Sequence, residues 1–174
     1  MANYGSAFVE DYPSSSVNNG TGRNFGLDIT VEKFLDKGLY FLLTSSVYRS
    51  LYTPSNGIEY STAFDGGFTF NVLAGYAYKF KKAKTGQNIL TVDIKLTRNG
   101  GGRYTPILLD ESIINNMEIR YNSQAFGQQF PDYFRADLKL NYRLNTKKLT
   151  HEFGLDLVNI FGIENIFFVL FFCN

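Results

Sequence analysis

The side chains that could carry out chemistry are few, and they form no catalytic motif. The chain has one histidine, His151, and one cysteine, Cys173, so it can form neither an internal disulfide nor a cluster of cysteine or histidine metal ligands. No nucleophile stands near a base in the sequence. His151 lies beside a basic turn and on the apolar parity of its segment, where an imidazole at an interface is expected.

Two acidic residues, Glu152 and Asp156, are spaced so that they would share one face of a β-strand. A general acid and a general base can stand side by side in this way. Arg143 and Lys139 lie on the preceding segment, however, and we expect them to neutralise both carboxylates. We therefore predict that the protein is not an enzyme and that it binds no cofactor and no metal.

The segment GGGR at residues 100–103 has the glycine content of a phosphate-binding loop. It lacks the Gly-Lys-Ser/Thr ending and the following helix through which such a loop holds phosphate oxygens. We expect a flexible external loop here instead.

Polar and aromatic side chains in two further segments are of the kinds that contact ligands. They are Tyr52, Asn56, Glu59 and Tyr60 in one segment, and Arg103, Tyr104, Asp110 and Glu111 in the other. The same residue types often do no more than solvate a loop, and this is the simpler interpretation. No ligand-binding site is therefore assigned, and the ligand is unknown from the sequence.

The overall composition argues against several classes of protein. Aromatic residues make up 17% of the 174 residues, yet the mean hydropathy is only −0.15, which is far from that of a helical membrane protein. The 17 basic and 16 acidic residues give a net charge of +1, so no overall field attracts nucleic acid. The longest apolar run, residues 166–173, is shorter than the roughly 20 residues of a transmembrane helix. Residues 1–12 show no signal peptide.

Apolar side chains recur at every second position through most of the chain, which predicts β-strands with one apolar and one polar face. Leu138 and Leu140, for example, alternate with Lys139 and Asn141. The pattern gives six strands arranged as three hairpins and no convincing helix. The predicted hairpins span residues 24–51, 64–99 and 132–160, between a loop at residues 1–23 and an irregular tail at residues 161–174.

Short basic turns alternate with long connections along this series of strands. The turns are LDKG (35–38), KKAKTGQ (81–87) and NTKKL (145–149), and the long connections are residues 52–63 and 100–131. This alternation is typical of an outer-membrane β-barrel, whose short turns face the periplasm and whose long loops face the exterior. The strands also exceed the roughly 5 or 6 residues usual in soluble sheets and suit the roughly 9–11 residues that cross a bilayer.

The register of the last hairpin can be predicted from its charges. One register sets Lys139 opposite Asp156 and Arg143 opposite Glu152, and each such pair stabilises a sheet by roughly 0.2–1 kcal/mol. A shift by two residues would set Asp137 against Asp156 instead. A shift by one residue would send the charges to the apolar face. The first register is therefore expected.

The alternation alone does not say which face meets water. In a transmembrane barrel the apolar face lies in lipid, whereas in a soluble barrel or sandwich it forms the core and can hold an apolar ligand. Aromatic residues near the strand ends favour the membrane interpretation, because outer-membrane barrels carry aromatic girdles at both interfaces. These residues are Phe34, Tyr48, Tyr52, Tyr78, Phe80, Tyr133 and Phe134.

Three blocks of the sequence carry a family resemblance. They are NGTGRNFGLDITVEKFLDKGLYFLLTSSVYRSLY (19–52), GGRYTPILLDES (101–112) and FPDYFRADLKLNYRLNTKKLTHEFGLDLVNIFGIENIF (130–167). In this order and spacing they resemble the C-terminal β-barrel portion of TonB-dependent outer-membrane receptors of the Bacteroidetes type. The resemblance implies an all-β chain, an open curved antiparallel sheet of about six strands cut from a 22-stranded barrel.

The resemblance also implies a function and a location. The intact receptor would lie in the bacterial outer membrane, surrounded by lipid, and would import a bulky nutrient such as a siderophore–iron complex or an oligosaccharide. TonB and the plug domain would be partners of the intact receptor alone. The plug and most strands have no counterpart here, and the family pattern breaks after Phe167, so we expect a receptor fragment. A structural or adhesin-like outer-membrane barrel is a further alternative.

Overall fold

The computed structural model describes residues 19–81 and 86–166, and these residues form a long antiparallel β-sheet with loops at one end. Six strands are long and three are two-residue strands within the loops. In chain order they are β1 (Thr21–Asp36), β2 (Leu39–Thr53), β3 (Tyr60–Ser61), β4 (Phe68–Lys79), β5 (Ile89–Asn99), β6 (Arg103–Tyr104), β7 (Gln128–Gln129), β8 (Tyr133–Asn145) and β9 (Thr150–Leu157).

The long strands pair in the order β1–β2–β4–β5–β8–β9, so each lies beside the next long strand in the sequence. The short strand β3 adds to the end of β2, and β6 and β7 form a separate two-stranded ribbon. Every pairing is antiparallel. The sheet is open and curved, which confirms the all-β expectation. Within the described residues, β1 and β9 each have one unpaired edge.

The observed hairpins differ from the predicted ones by up to four residues at their ends, and β9, for example, ends at Leu157 and not at residue 160. β1 begins at Thr21, inside the segment predicted as a loop, because Thr21 still pairs with Thr53 at the end of β2. β4 begins at Phe68 and not at residue 64, because Gly67 has a φ of +86° and breaks the extended conformation. Residues 1–18 of the predicted loop and residues 167–174 of the predicted tail lie outside the described residues.

The predicted register of the last hairpin is confirmed. Lys139 lies opposite Asp156 and Arg143 opposite Glu152, with Leu140 opposite Leu155 on the other face. Because β8 also pairs with β5 without a register shift, the same division into faces continues across the sheet.

The absence of any helix was predicted, and this prediction is wrong for the second long loop. A short helix, α1, spans Leu109–Asn115, and a 3-10 turn spans Asn122–Gln124. The helix has acidic residues in its first turn, where they complement the helix dipole. It ends at Asn116, which adopts a left-handed conformation with φ +50°. The buried Ser112 Oγ accepts a hydrogen bond from Ile119 N–H at 2.9 Å and so closes the helix onto the following chain.

The sheet has no second layer over either face among the described residues. Leu51, Ala77 and Ala136 are the buried apolar side chains there. Soluble domains bury an apolar sheet face against another layer of strands or helices. This sheet is held instead by its ladder of backbone hydrogen bonds and by contacts between neighbouring strands.

The first hairpin is displaced along the strand direction relative to the second. Its turn ends at Gly38, whose carbonyl oxygen accepts a hydrogen bond of 2.7 Å from Ala77 N–H, although β4 continues to Lys79. The start of β5 and the end of β8 lie at one level, because Asn145 N–H donates to Asn88 Oδ1 at 3.0 Å. A stagger between hairpins is what strand tilt produces in a sheet that curves toward a barrel.

A tyrosine crosses a glycine at the centre of the sheet. Tyr40 on β2 and Asp93 on β5 both lie opposite Gly75 on β4. The Tyr40 hydroxyl donates a hydrogen bond to the Asp93 carboxylate by passing over Gly75, and a Cβ at Gly75 would collide with both side chains. Because Gly75 has no side chain, Tyr40 of β2 can reach Asp93 of β5 across β4.

Gly75→Ala is expected to lower the free energy of unfolding by about 1–3 kcal/mol, the usual cost of overpacking. Gly154→Ala is the matched control, since Gly154 is also in a strand of the sheet and nothing lies within 4 Å of the Cβ it lacks. The control should change stability by less than about 0.5 kcal/mol. Urea titration followed by circular dichroism, in a detergent that keeps the chain monomeric, measures both. Equal effects would contradict this packing.

Candidate functional site

One face of the sheet is apolar across its six long strands, and exposed side chains occur on every long strand except β8, where the apolar side chains are half-buried or buried. A row of directly paired residues across the first five of them is Val31, Leu43, Val72, Leu96 and Ala136. Exposure is highest near the two edges, with Leu27 on β1 at 65% and Phe153 on β9 at 61%. Soluble monomers rarely expose a contiguous apolar surface of this extent, and such surfaces mark contacts with a partner or a membrane. We call this surface the apolar face.

Aromatic side chains lie at both ends of the apolar face. At the end with the short turns, Phe80 packs edge-on against Tyr78, with ring centroids 5.0 Å apart, and against Tyr142 at 6.2 Å. At the end with the long loops, Phe134 stacks on Phe161 at 6.2 Å. Aliphatic side chains fill most of the space between these two groups.

Three aromatic residues that were expected near the interfaces lie on the other face. Tyr48, Tyr52 and Tyr133 have the parity of the polar side chains, as their pairing with Gly26, Gly22 and Asn99 shows. The position of an aromatic residue near a strand end predicts that it lies near one end of the sheet, but it does not predict on which face the side chain lies.

The opposite surface, the polar face, carries charged side chains in compensating pairs. The Lys139 ammonium lies 3.3 Å from the Asp156 carboxylate, and the Arg143 guanidinium lies 3.5 Å from that of Glu152. The expected neutralisation of both carboxylates is confirmed. Such exposed pairs each contribute at most about 1 kcal/mol, so their main effect is to keep this surface polar.

A shallow groove of about 400 Å³ runs along the polar face where β5, β8 and β9 meet. Its lining includes Asp93, Lys95, Asp137, Lys139 and Asp156. Asp137 is also held within its own strand, because Arg135 Nε donates to it at 2.8 Å. Leu73, Leu138, Leu157 and Val158 also line the groove, so it offers charges of both signs beside apolar side chains.

A buried carboxylate joins the loops at the long-loop end of the sheet. Asp65 is 1% exposed and accepts hydrogen bonds from Ser50 N–H at 2.9 Å and from Ser61 Oγ at 2.7 Å. The guanidinium groups of Arg49 and Arg103 lie 3.2 Å and 3.5 Å from its carboxylate. We call these five residues the Asp65 cluster. They connect the end of β2 to both long loops.

The Asp65 cluster keeps its carboxylate ionised. Burial raises the pKa of Asp65, but the hydrogen bonds from Ser61 and Ser50 and the adjacent Arg49 guanidinium outweigh burial and hold the pKa below its ordinary value of 3.8. A carboxylate with so low a pKa and so many donors is a structural anion and has no proton to transfer near neutral pH.

Three of the four residues in the first group of possible ligand contacts are brought together, but they contact one another. The Tyr52 and Tyr60 rings stack with centroids 5.7 Å apart, and Phe126 packs edge-on against Tyr52 at 6.4 Å. Asn56 Nδ2 donates to the Tyr60 hydroxyl at 3.2 Å. These rings therefore hold the two long loops together.

The remaining candidates are dispersed. Glu59 forms an exposed ion pair with Arg23 at 2.8 Å, and Tyr104 stacks on Phe130 with centroids 4.4 Å apart. Arg103 belongs to the Asp65 cluster. Asp110 and Glu111, in the first turn of α1, are exposed.

Residues 100–102 form a loop, and their backbone packs closely against two other loop segments. Gly102 O accepts a hydrogen bond from Phe130 N–H at 2.9 Å. A Cβ on Gly100 would collide with the carbonyl oxygen of Gly66, and one on Gly101 with that of Phe130. The glycines are thus required because three loop backbones cross here at close range.

The other sequence candidates give no chemical centre. His151 lies opposite Leu144 on the apolar face, as predicted, and Cys173 lies outside the described residues. Across residues 19–81 and 86–166, no group of three or more His, Cys, Asp and Glu side chains could hold a metal ion. In the same part of the chain, no helix is long and apolar enough to cross a membrane.

Sequence reasoning missed Asp65. The residue stands in a loop without hydrophobic periodicity, and its partners come from positions as distant as Arg49 and Arg103. The one local signal is the Asp-Gly-Gly order at residues 65–67, which is typical of turns and says nothing about burial.

Asp65→Asn is expected to destabilise the long-loop end by about 2–4 kcal/mol, because two guanidinium groups lose a buried anionic partner. The matched control is Asp132→Asn, which removes the exposed ion pair with Arg98 and should cost less than about 1 kcal/mol. Hydrogen exchange of the loop amides measures both changes.

The pH dependence of this protection is a second readout. Because the folded pKa is lowered, the contribution of Asp65 is fully present above pH 3.8 and is lost as the pH falls below it. Protection that is unchanged between pH 5 and pH 2.5, or a pH profile shared by wild type and Asp65→Asn, would contradict the assignment.

Comparison of this chain with protein-family models, with curated proteins and with solved structures found no match.

Proposed function

We propose that this chain is a segment of the wall of an outer-membrane β-barrel, from the C-terminal part of a TonB-dependent receptor that imports a bulky nutrient. The observation that carries the proposal is the pair of opposed faces on one single-layer sheet. On one face apolar side chains are exposed on β1, β2, β4, β5 and β9 and half-buried on β8, while the other face carries charged side chains that are paired between β8 and β9. In a barrel wall the first face would lie in lipid and the second would line an aqueous interior.

The dimensions of the sheet support this proposal. β1 and β2 have 16 and 15 residues, and β4, β5 and β8 have 12, 11 and 13. A tilted strand needs about 9–11 residues to cross the hydrocarbon core, so each of these five is long enough. The aromatic groups at the two ends of the apolar face are separated by an aliphatic band, as in the girdles of outer-membrane barrels.

The packing of the loops favours a receptor over a barrel with a purely structural role. The two long loops lie at the same end of the sheet and are joined by the Asp65 cluster and by the rings of Tyr52, Tyr60 and Phe126. A loop layer held by buried ionic and aromatic contacts keeps a defined shape, which selective capture of a nutrient requires. A siderophore–iron complex or an oligosaccharide would be taken up without chemical change, in keeping with a non-enzymatic protein.

A soluble barrel or sandwich that holds an apolar ligand is the alternative. In such a protein the apolar face would be covered by a second layer or by closure of the sheet. The high exposure of Leu27 and Phe153 at the two edges argues against that arrangement.

The first test is the dependence of the folded chain on detergent. Residues 1–174 expressed and purified without detergent should aggregate, because the apolar face and two strand edges are exposed. In detergent micelles the same chain should give one size-exclusion peak with the circular dichroism of a β-sheet. A sharp monomer peak with cooperative unfolding in plain buffer would overturn the membrane proposal and favour the soluble barrel.

A second test separates a lipid-facing surface from a protein core. Phe153→Cys and Gly154→Cys, each in a Cys173→Ser background, place a fluorescent label at neighbouring exposed positions on the apolar and the polar face. A detergent that carries a quencher on its alkyl chain should quench the label at 153 much more strongly than the label at 154. Equal quenching, or stronger quenching at 154, would contradict the assignment of the faces.

A further inference from the structure

The lysines of the chain are concentrated at the short-turn end of the sheet. The turns LDKG, KKAKTGQ and NTKKL contain six of the ten lysines and a single carboxylate, that of Asp36. The two long connections, residues 52–63 and 100–131, contain no lysine. Because the paired strands are antiparallel, the three hairpins turn at the same end of the sheet. That end is therefore cationic.

The turn lysines differ from the arginines at the long-loop end in having no anionic partner. Arg23 and Arg98 have the parity of the apolar face, and each is neutralised, Arg23 by Glu59 at 2.8 Å and Arg98 by Asp132 at 2.9 Å. The turn lysines are exposed, and none takes part in an ion pair within the described residues. Those that the structure describes are Lys37, Lys81, Lys147 and Lys148.

Lys33 brings a further cation onto the apolar face, close to the first turn. It follows Val31 on the same side of β1 and lies opposite Phe41, and it is the one half-buried residue of the strand. A lysine in such a position can extend its aliphatic stem along the apolar surface and its ammonium group toward the interface with water. The aromatic group around Phe80 lies on the same face and at the same end. Apolar, aromatic and cationic groups therefore adjoin at the short-turn end.

We propose that the short-turn end binds the phosphate groups of anionic phospholipids, with the turn lysines and Lys33 at the headgroups and the apolar face among the acyl chains. A phospholipid presents a phosphate next to an apolar chain and so matches both adjoining surfaces, whereas an acidic protein or a free anion would match the lysines alone. Aromatic side chains at the headgroup level are typical of such an interface. The inference rests on the proposed function, because it requires that the apolar face lies in lipid.

The residue type also suits a headgroup. A lysine ammonium is a compact, hydrated charge on a flexible stem, so it can follow a mobile phosphate. The planar guanidinium of arginine suits fixed pairs with carboxylates, and the arginines at the long-loop end are paired in this way. The two ends of the sheet therefore differ in chemistry as well as in charge.

The test places a fluorescent label at either end of the apolar face of β9, in the full chain folded in nonionic detergent micelles. His151→Cys labels the short-turn end and Leu157→Cys the long-loop end, each in a Cys173→Ser background. The two positions are about 20 Å apart along the strand. Phosphatidylglycerol and phosphatidylcholine, with the same acyl chains and a quencher on the chain near the headgroup, are added at equal mole fractions.

We expect the label at 151 to report a relative affinity for phosphatidylglycerol over phosphatidylcholine of about fivefold, which is the contribution of one lysine near anionic lipid. The label at 157 should report no preference, because the cations at that end are neutralised. Equal quenching by the two lipids at 151, or the same preference at both positions, would overturn the inference.

Two double variants identify the groups responsible. Lys147→Gln combined with Lys148→Gln should abolish the preference at 151, whereas Arg23→Gln combined with Arg98→Gln removes two cations from the other end and should leave it unchanged. Circular dichroism checks that each variant keeps the β-sheet, which exposed turn positions should allow. A preference that the lysine substitutions leave unchanged would overturn the inference.

Phosphatidylcholine separates failure of this inference from failure of the membrane proposal. It should quench both labels, because the apolar face would lie in lipid whichever headgroup is present. No quenching by either lipid would overturn the membrane proposal together with this inference. Equal quenching by both lipids would overturn the headgroup preference alone.

Discussion

The unbroken register that runs from β2 through β4, β5 and β8 to β9 is the constraint on which both faces depend. Side chains alternate with a period of two, so a slip of one residue at any pair would transfer the charges of one strand into the apolar surface. Leu43 pairs with Val72, Val72 with Leu96, and Leu96 with Ala136, and no charge enters this row. The one irregularity in the long pairings is in the first hairpin, between Lys33 and Asp36, next to the turn.

The polar face and the loop layer stabilise this register in different ways. On the polar face the ion pairs are exposed and individually weak, and Tyr40 reaches Asp93 across Gly75 to connect three strands. In the loop layer the contacts are fewer but more buried, and Asp65 binds groups from β2 and from both loops. A sheet with a single layer has no core to hold its loops, and the Asp65 cluster replaces part of that core.

Most of the sheet could be predicted from the sequence, whereas the loop layer could not. Alternation identified the long strands, and the charges at 139, 143, 152 and 156 were sufficient to select the register of the last hairpin, because both signals are local or lie across one turn. The start of β1 was misjudged because its first residues are held by pairing with Thr53, which no local pattern reveals. The crossing glycines depend on contacts between segments distant in the chain, whereas α1 is closed by contacts with the residues that follow it, such as that between Ser112 and Ile119. The faces of Tyr48 and Tyr52 follow from register and not from residue type.

The Asp65 cluster also favours the correctly aligned sheet over misaligned ones. Its donors come from β2, from the loop that follows β2 and from the chain just beyond β5, so they converge only when β2–β4 and β4–β5 are both correctly aligned. In a misaligned sheet the carboxylate would be buried without its partners or would remain hydrated at the surface, and either outcome makes the misaligned state less stable. The cluster thus acts as a check on strand alignment that is completed once β2, β4 and β5 have paired.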